Sequence, residues 1–540
     1  MMPTVTAPNQ CVVLQPDDHP GRTAKAPPLP EAVIFLCLPF LASVCRTFAS
    51  CTDDPFITLR YAANIVHGFG PVFNRGEHVQ GFTSPLHLCV AVLVYLAPGG
   101  HDLLKLKLAS LVFGLLAIRE AGILLYGIDI PRWARRTGGL AVGTSWIVAF
   151  ASSNGLETTL EMWLLMALTR RLILDGSRRS PFPLALIGFA AVLARPDALL
   201  VVAFVGAVGL IIERRRPVAQ RVLWLAGPAA AVTGTAAIGL LYFRDALPNT
   251  YYAKDIALGQ AVSGGARYLH DSLQPQMGAS YGRALLILQI AFLAVGVYAV
   301  VRRFPRCGYL IAILPAQILF ILKSGGDWMN GSRFAAPAAI PMILIEVLGL
   351  VTSISYLGRH ARPIFVRGVG AVATAGLIAS SISSPIFPAP VWQLSGADDR
   401  SLLASGGYQY SHLWATLPSY LRCLPAGQLV ATSEVGYLGF VRQDLRILDT
   451  RGLTGRSIAK GSPESVKFPW GVADPFWSRP TSPVGRVLIR AKPAVIVTFD
   501  GLRPESALSG AYRLVEAPAS LGASIYVQSS HPGCPNSRQK

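Results

Sequence analysis

Charged residues are scarce in this sequence, and acidic residues are the scarcer of them. Asp, Glu, Lys and Arg together make up 14% of the 540 residues, whereas about a quarter is usual in soluble proteins. This scarcity excludes an ordinary soluble enzyme. Hydrophobic residues make up 52% and stand in many blocks bounded by Arg clusters, Gly or Pro. Such a composition is typical of a helical protein that crosses a membrane many times.

Several common motifs are also missing. The eight Cys and nine His form no CxxC pair and no HExxH motif, so a metal site built from these residues is not expected. No apolar block stands early enough to form a cleavable signal peptide. Residues 1–31 are polar and Pro-rich, and we interpret them as a disordered cytoplasmic leader.

The positive charge of the chain follows a pattern of its own. The formal net charge is +19, but the basic residues bunch in short gaps between apolar blocks, as they do in cytoplasmic loops. The charge therefore orients the chain in a membrane, and nucleic acid is not an expected partner. The clusters are Arg132, Arg135 and Arg136; Arg170, Arg171, Arg178 and Arg179; Arg214, Arg215, Arg216 and Arg221; Arg302, Arg303 and Arg306; Arg359 and Arg362.

Eleven apolar blocks are predicted to cross the membrane. They are residues 32–50, 107–126, 139–153, 158–175, 182–194, 198–212, 222–243, 284–301, 307–322, 334–356 and 364–386. Another block, 84–98, would invert the side of every later Arg cluster if it crossed, so we predict a re-entrant or interfacial helix on the outer side. The N-terminus is then cytoplasmic and the C-terminus external, in a bacterial cytoplasmic membrane.

The expected fold class is an all-α polytopic membrane bundle, residues 32–387, with a small external domain, residues 388–540. Short β-rich stretches at 428–432, 445–448, 494–499 and 523–527 alternate there with helix-like segments such as 408–421. This alternation predicts a periplasmic α/β domain. Cys423 and Cys534 are its two cysteines, and they either form a disulfide in an oxidising compartment or stay as free thiols.

The loop after the first span carries the most informative motif, CTDDPFITLRYAANIVHGFGPVFNRGEHVQGFTSPL, over residues 51–86. Pro55 suits the first turn of a helix, and apolar residues recur at helical spacing from Phe56 to Val66. An amphipathic helix on the outer membrane surface is therefore predicted. Asp54 is its natural N-cap, whereas Asp53 remains free to face the mouth of the bundle.

This loop resembles the first external loop of GT-C glycosyltransferases, integral-membrane enzymes that use polyprenyl-phosphate sugars. Within that superfamily it is similar to the mycobacterial terminal β-arabinofuranosyltransferases and to related protein mannosyltransferase-like enzymes. Further similar motifs follow in the same order: GLETTLE at 155–161, LARPDALL at 193–200, LPNTYYAK at 247–254, GGDWMNGSRF at 325–334, and SEVGYLG with LDTRGLTG within 433–455. The first loop and GGDWMNGSRF are the specific ones.

The resemblance implies roles for particular residues. A first-loop aspartate is the catalytic base of the family, and Asp53 holds the matching position; Glu157 matches a second carboxylate of the reaction. Basic residues bind the donor phosphate, and Lys254 and Arg333 lie in the matching motifs. The other candidate substrate-binding residues are Asp54, Arg60, Tyr252 and Asp327.

Simpler structural interpretations stay open for most of these side chains. Glu157 suits the dipole at a helix start, Lys254 and Arg333 suit interfacial anchoring, and Asp327 suits a turn. Arg195 and Asp197, on either side of a proline, are expected to form a local ion pair.

The expected function is inverting transfer of a sugar, arabinofuranose among the candidates, from a polyprenyl-phosphate donor to an acceptor hydroxyl outside the membrane. The acceptor is a glycan, a lipid-linked glycan or a surface protein. No cofactor is expected, because the resemblance implies a metal-independent reaction, although the acidic loops offer oxygen ligands for Mg²⁺ or Ca²⁺. A lipid or glycan transporter or flippase is the alternative, but the repeats typical of transporters are not evident.

Overall fold

The structure is a computed structural model that describes residues 26–175, 180–273, 279–329, 331–382, 390–407, 411–468, 471–472, 481–499, 511–515 and 523–529. Most of the predicted leader and the junction between the two predicted domains, residues 383–389, lie outside these ranges. Helices dominate the described part of the chain, as the composition predicts.

The first half of the bundle begins with α1 (Leu29–Ala32), which continues through a π-helical segment, Val33–Cys37, into α2 (Leu38–Thr47). The next helices are α3 (Asp54–Val66), α4 (Pro85–Leu96), α5 (Asp102–Gly127), α6 (Arg132–Gly143), α7 (Trp146–Ala151), α8 (Thr158–Leu174), α9 (Pro181–Ala194) and α10 (Ala198–Ile212).

The second half contains α11 (Val218–Val222), α12 (Ala226–Ile238), α13 (Asn249–Ala253), α14 (Leu258–Leu273), α15 (Ala279–Arg302), α16 (Gly308–Ser324), α17 (Ala336–His360) and α18 (Pro363–Ile382). A 3₁₀ segment, Leu223–Leu225, joins α11 to α12, and a π-helical segment, Gly239–Phe243, extends α12.

Seven helical runs among the described residues are long and apolar enough to cross a membrane. They are Leu29–Thr47, Asp102–Gly127, Val218–Phe243, Gly282–Arg302, Pro305–Ser324, Ala336–His360 and Pro363–Ile382. Each overlaps one of the eleven predicted spans. Two further predicted spans, 182–194 and 198–212, coincide with the shorter apolar helices α9 and α10. The count of eleven crossings stays a prediction.

Block 139–153 is not one continuous helix, and its crossing of the membrane stays a prediction. The helix breaks between Gly143 and Trp146, where Ser145 has an extended backbone. A Cβ on Gly143 would lie 2.7 Å from the Leu36 carbonyl oxygen, so the chain turns where two backbones touch. Helix α4, by contrast, has 12 residues and a length of about 18 Å. This is short of the roughly 30 Å hydrocarbon core and fits the predicted re-entrant or interfacial helix.

The C-terminal part is an α/β domain, as predicted. Its helices are α19 (Asp399–Ala404), α20 (Ser411–Tyr420), α21 (Gly436–Val441), α22 (Arg456–Gly461) and α23 (Pro483–Ala491). Its strands are β1 (Leu429–Thr432), β2 (Arg446–Asp449), β3 (Lys467–Phe468), β4 (Gly471–Val472), β5 (Val495–Phe499), β6 (Tyr512–Val515) and β7 (Ala523–Gln528).

The main sheet of this domain has the strand order β2-β1-β5-β7-β6. β1 lies parallel to β2 and to β5, whereas β7 lies antiparallel to β5 and β6. The four predicted β-rich stretches are β1, β2, β5 and β7, and β6 was missed. Cys423 is disulfide-bonded. Its predicted partner, Cys534, lies outside the described residues, so that pairing stays a prediction.

Helix α3 lies in the interior, and its predicted place on the membrane surface is wrong. Eight of its 13 residues are buried, the polar Arg60 and Asn64 among them. The helix packs between α4 and α21, and the Phe56 ring lies 4.8 Å from the Tyr437 ring, centroid to centroid. A helix with an apolar face can lie on a lipid surface or pack beneath another domain, and its own sequence does not show which of the two occurs.

Helix α5 shows which charged groups share an end of the bundle. At its start the Leu103 amide donates to Asp399 of the C-terminal domain, at 3.0 Å. Near its end Tyr126 donates to Glu31, which also binds Arg132 and Arg136. The helix has 26 residues, about 39 Å. The first Arg cluster and the C-terminal domain therefore lie at opposite ends of the bundle.

Arg60 fastens α3 to the C-terminal domain. Its guanidinium donates to the Phe73 carbonyl (2.7 Å), the Gly439 carbonyl (2.8 Å), the Leu445 carbonyl (2.9 Å) and the Asn74 side-chain oxygen (3.1 Å). The residue is 2% exposed. These acceptors engage the whole guanidinium, and the predicted role of Arg60 in substrate binding stays a prediction.

Replacing Arg60 by Met should destabilise the junction between α3 and the C-terminal domain. The change removes the Arg60 donor from four buried oxygens. The Phe73 carbonyl and the Asn74 oxygen keep Asn64 and Ile447 as donors, so the expected cost is on the order of 3 kcal/mol. Thermal unfolding of the full chain in detergent measures this as a lower Tm. Arg75→Ala is the matched control, because Arg75 is exposed. Equal Tm values for the two variants would contradict the role of Arg60.

Candidate functional site

Five charged side chains from distant parts of the sequence meet where the bundle adjoins the C-terminal domain. Asp54 opens α3, Glu157 precedes α8, and Lys254 follows α13. Asp327 and Arg333 lie in the loop between α16 and α17. The Asp54 carboxylate interacts electrostatically with each of the other four. We call this group the charged cluster. The structure thus brings together five of the eight predicted site residues.

Arg333 lies at the centre of the charged cluster. Its Nε and Nη2 bind the Asp327 carboxylate, and its Nη1 lies 3.7 Å from Asp54 Oδ2. Burial opposes the charged form, but the neighbouring carboxylates outweigh it and hold the pKa of Arg333 above its usual range. The guanidinium, 7% exposed, is therefore a permanent cation in a site that largely excludes water.

The glycine-rich loop before Arg333 has a backbone that few other residues would tolerate. Gly325, Gly326 and Gly331 have positive φ angles of 77°, 84° and 103°. A Cβ on Gly331 would lie 2.0 Å from the Phe150 ring. This tight turn seats Arg333 beside Asp327, which accounts for the glycines of GGDWMNGSRF.

Lys254 supplies a second cation with no fixed partner. Within the part of the chain that the structure describes, its ammonium makes no hydrogen bond. Burial and the nearby Arg333 lower the pKa of Lys254. Asn249, at the start of α13, donates to the Gly452 carbonyl (2.6 Å) and the Leu453 carbonyl (3.1 Å). The motif LPNTYYAK therefore anchors a short helix on the C-terminal domain and places a lysine at the cluster.

The two adjacent aspartates of the first loop do not lie where the sequence predicted. Asp53 is the N-cap residue of α3, and its carboxylate accepts the backbone N–H groups of Gly436 (2.6 Å) and Tyr437 (2.7 Å). Asp54 makes no cap and faces Arg333 instead. The prediction that Asp54 caps the helix is therefore wrong. The local sequence could not show this, because the amides that orient Asp53 belong to α21, 383 residues later in the chain.

The environments of the two aspartates differ as well. Burial raises the pKa of Asp53 to about 7, although its two amide donors act in the opposite direction. Burial also raises the pKa of Asp54, and here Arg333 and Lys254 oppose the shift. Both oxygens of Asp53 are thus engaged with main chain, whereas Asp54 lies among charged side chains. A role for Asp53 as the base stays a prediction that this geometry does not favour.

Glu157, a member of the charged cluster, directly precedes α8, as the helix-terminal interpretation predicts. Burial works to raise its pKa, but Arg195 and Arg333 outweigh burial and hold the pKa of Glu157 below its ordinary value. The Arg195 Nη1 lies 3.7 Å from the Glu157 carboxylate. The expected ion pair of Arg195 with Asp197 is confirmed, with Nε and Oδ1 at 2.9 Å.

Sequence reasoning missed two acidic residues near the cluster. Glu161 is fully buried, 3.1 Å from Arg195, and its spacing of four residues from Glu157 could have revealed a shared helix face. Glu434, in SEVGYLG, interacts electrostatically with Asp53, Arg451 and Asp54. Burial and the nearby Asp53 raise the pKa of Glu434 to about 8. The C-terminal domain therefore contributes an acid to the same region.

Tyr252 lies outside the charged cluster, and its predicted role in substrate binding stays a prediction. Its hydroxyl donates to Asp245 at 2.7 Å, and this bond raises the pKa of Tyr252 to about 12. Lys460 lies 4.3 Å from the Tyr252 ring centroid and pairs with Asp245. Tyr252 thus helps to attach the segment before α13 to α22.

The described residues contain no group of three or more His, Cys, Asp or Glu side chains placed to hold a metal ion. Asp54 and Asp327 instead contact Arg333. The expectation of a metal-independent reaction stays a prediction.

The fold is similar to that of ArnT from Cupriavidus metallidurans, a GT-C glycosyltransferase. Its apo crystal structure matches with a TM-score of 0.53 and 11% identity, over 92% of this chain and 97% of ArnT. The crystal structure of the same protein bound to undecaprenyl phosphate matches with a TM-score of 0.51 and 12% identity, over 94% and 99%. The chain therefore has the fold of GT-C membrane glycosyltransferases.

Within that class the chain is similar to two curated proteins named terminal β-(1→2)-arabinofuranosyltransferase. The Corynebacterium glutamicum protein is 26% identical over 335 residues, 55% of this chain and 48% of the relative. The Mycobacterium tuberculosis protein is 24% identical over 331 residues, 53% and 50%. The chain thus spans about half the length of the curated relatives it matches. Residues 407–532 match a family described as domain of unknown function (DUF8728). These matches confirm the resemblance carried by the first-loop motif.

Asp53→Asn should lower the stability of the protein, whereas Asp54→Asn should not. The asparagine amide cannot accept hydrogen bonds at both of its terminal atoms, so at least one N–H of α21 loses its acceptor at a cost of about 1–3 kcal/mol. Thermal unfolding of both purified variants tests this difference. A lower Tm for Asp54→Asn than for Asp53→Asn would refute the assignment of Asp53 as the anchor.

Proposed function

We propose that this protein is an inverting glycosyltransferase that moves a sugar from a polyprenyl-phosphate carrier to an acceptor hydroxyl. The observation that carries the proposal is the position of Asp54, a buried carboxylate beside Arg333 and Lys254, at one end of a GT-C fold. Such a transfer needs one group to accept the hydroxyl proton and others to stabilise the departing phosphate. The charged cluster contains both kinds of group.

Asp54 is the proposed base. A sugar hydroxyl is far too weak an acid to ionise beforehand, so the base takes its proton as the new glycosidic bond forms. Asp53, which the resemblance first indicated, is engaged by two main-chain amides instead. We propose that Asp53 positions Asp54 by fixing the start of α3 against α21.

Arg333 and Lys254 are the proposed phosphate ligands. When the bond to the anomeric carbon breaks, negative charge grows on the leaving phosphate, and two buried cations stabilise that charge strongly. Lys254 has no hydrogen-bonded partner among the described residues to give up, so it is ready to bind. The crystal structure of ArnT with undecaprenyl phosphate supports a donor of this chemical type.

Glu157 completes the proposed reaction centre. Because its pKa is held low, it is ionised at neutral pH. A carboxylate near the sugar ring stabilises positive charge at the anomeric carbon, as paired carboxylates do in glycosidases. Attack of the acceptor oxygen from the face opposite the phosphate inverts that carbon.

The names of the two curated relatives favour arabinofuranose as the transferred sugar. The proposed place of reaction is the external face of a bacterial cytoplasmic membrane, with a glycan, a lipid-linked glycan or a surface protein as acceptor. A transporter or flippase fits less well, because the charged cluster lies at one end of the bundle, against the C-terminal domain.

Asp54→Asn should abolish most sugar transfer without unfolding the protein. Loss of a general base lowers kcat by about 10²–10⁴-fold. The assay follows transfer of labelled sugar from a polyprenyl-phosphate donor by the purified full chain. Asn64→Ala, which removes a buried side chain of the same helix away from the cluster, controls for general damage to α3. An Asp54→Asn variant with wild-type kcat would remove the proposed base.

The acid limb of the pH profile should reflect Asp54. Because burial raises the pKa of this carboxyl, and because a base acts only when deprotonated, kcat/KM should fall as the pH drops through a value above the ordinary aspartate pKa near 4. The test compares the pH profile of kcat/KM for the wild type with that of the residual activity of Asp54→Asn. An unchanged acid limb in the variant would assign it to another group.

Lys254→Gln should weaken donor binding, with a KM for the donor raised about tenfold or more. Lys254→Arg keeps the positive charge and should restore part of that loss. The KM for the acceptor should stay unchanged in both variants, since the cation contacts the donor phosphate alone. Equal donor KM values for wild type and Lys254→Gln would exclude this lysine as a phosphate ligand.

A further inference from the structure

Arg195 lies in the short turn between α9 and α10, where it contacts three carboxylates. Its Nε lies 2.9 Å from the Asp197 carboxylate and 3.1 Å from that of Glu161. Its Nη1 lies 3.7 Å from the carboxylate of Glu157, which precedes α8. Arg195 is 4% exposed, Asp197 6% and Glu161 0%. One buried cation therefore joins a member of the charged cluster to two carboxylates outside it.

A second set of contacts connects Arg195 with the loop that carries Arg333. The Gln317 side chain of α16 donates to the Asp197 carboxylate at 3.2 Å and to the Phe334 carbonyl at 2.8 Å. The Phe334 ring centroid lies 5.1 Å from the Arg195 guanidinium and 5.2 Å from that of Arg333. Both distances allow attraction between a cation and an aromatic ring. The same buried network therefore reaches the central cation of the charged cluster.

Arg195 holds Glu157 by charge and not by a hydrogen bond. A separation of 3.7 Å is too long for a hydrogen bond, and the buried Nη1 of Arg195 has no hydrogen-bond partner among the described residues. The ion pair stabilises the ionised form of Glu157 but does not occupy its oxygen lone pairs. Those lone pairs stay available to hydroxyl groups of a bound sugar.

Arg195 is the principal cation that acts on Glu157. Burial works to raise the pKa of Glu157, and Arg195 opposes burial more strongly than Arg333 or His87 does. Loss of Arg195 would therefore raise the pKa of Glu157. The charged and titratable groups that interact electrostatically with Glu157 are Glu161 of α8, Asp54 of α3, His87 of α4, Lys254, Arg195 and Arg333.

We propose that Arg195 is a positioning residue of the transfer reaction, which orients Glu157 and keeps it as the carboxylate beside the charged cluster. This inference rests on the proposed function and deepens it, because it assigns a role in the same site to a residue that touches no substrate. A local ion pair with Asp197 would need only the Nε side of the guanidinium. The Nη1 side extends to Glu157, so the contacts go beyond the turn.

Arg195→Gln should lower kcat about 10- to 100-fold at neutral pH, the loss expected when a catalytic group is misplaced. It should also move the acid limb of kcat/KM to higher pH. The carboxylate is the active form of Glu157, so activity falls as the pH drops through the raised pKa of this residue. Arg195→Lys keeps the positive charge and should restore the wild-type acid limb. When Glu157→Gln is already present, Arg195→Gln should lower kcat by about twofold at most.

Infrared spectroscopy of the purified full chain in detergent gives a readout that needs no substrate, because a protonated carboxyl group and a carboxylate absorb separately. At neutral pH, Arg195→Gln should gain a protonated-carboxyl band that weakens when Glu157→Gln is added. Arg195→Gln/Asp197→Asn should gain the same band. This double variant removes one charge of each sign, so the buried net charge is kept and the protein is expected to fold even where Arg195→Gln alone does not.

Arg170→Gln is the matched control for both measurements. Arg170 pairs with the buried Glu120 and lies toward the other end of α8 from Glu157. Its replacement breaks a comparable ion pair, so it should leave the acid limb unchanged and add no band that depends on Glu157. Thermal unfolding confirms which variants are folded.

An acid limb of Arg195→Gln that coincides with that of the wild type would overturn the inference. So would an equal loss of kcat with and without Glu157→Gln, or an infrared band that Glu157→Gln does not weaken, since Arg195 would then be a structural ion pair alone. A wild type that transfers no sugar would contradict the proposed function, and the infrared comparison would still decide whether Arg195 keeps Glu157 ionised. The two failures are therefore distinguishable.

Discussion

The docking of the C-terminal domain on the first external loop is the constraint on which the rest of the structure depends. Two charged residues of one helix carry it: Asp53 accepts two amides of α21, and Arg60 donates to main chain of the same domain. Both are almost completely buried. A buried charge is tolerated only when its hydrogen bonds are satisfied, so α3 cannot shift without loss of these contacts.

The geometry of the charged cluster follows from this docking. Once Asp53 is held by α21, the next residue, Asp54, turns toward Arg333 and Lys254. Arg333 is held in turn by Asp327 through a loop in which three glycines have positive φ angles. Three carboxylates and two cations therefore share a buried space in which the charges nearly balance. A bound phosphate would make the net charge of this space more negative.

Much of the architecture could be predicted from local patterns. Apolar blocks with Arg-rich gaps predict membrane helices, because length and composition alone decide whether a segment can span lipid. Four strands of the α/β domain were placed within one or two residues, since β-rich stretches bounded by turns are a local signal. The family resemblance of the motifs also indicated Asp327, Arg333, Lys254 and Glu157 as candidate site residues. The position of α3 and the break within block 139–153 depend on distant packing; the first was predicted wrongly, and the second was not predicted.

The sequence by itself determined the helical membrane class, the α/β character of the C-terminal domain and the set of residues from which a reaction centre can be built. Tertiary structure alone decided which of two adjacent aspartates faces the cations, and it alone supplied the partners through which Arg60 and Tyr252 attach neighbouring segments. The physical reason is that a side chain takes its role from its hydrogen-bond partners. Both partners of Asp53 and two of the four partners of Arg60 lie more than 370 residues away in the chain.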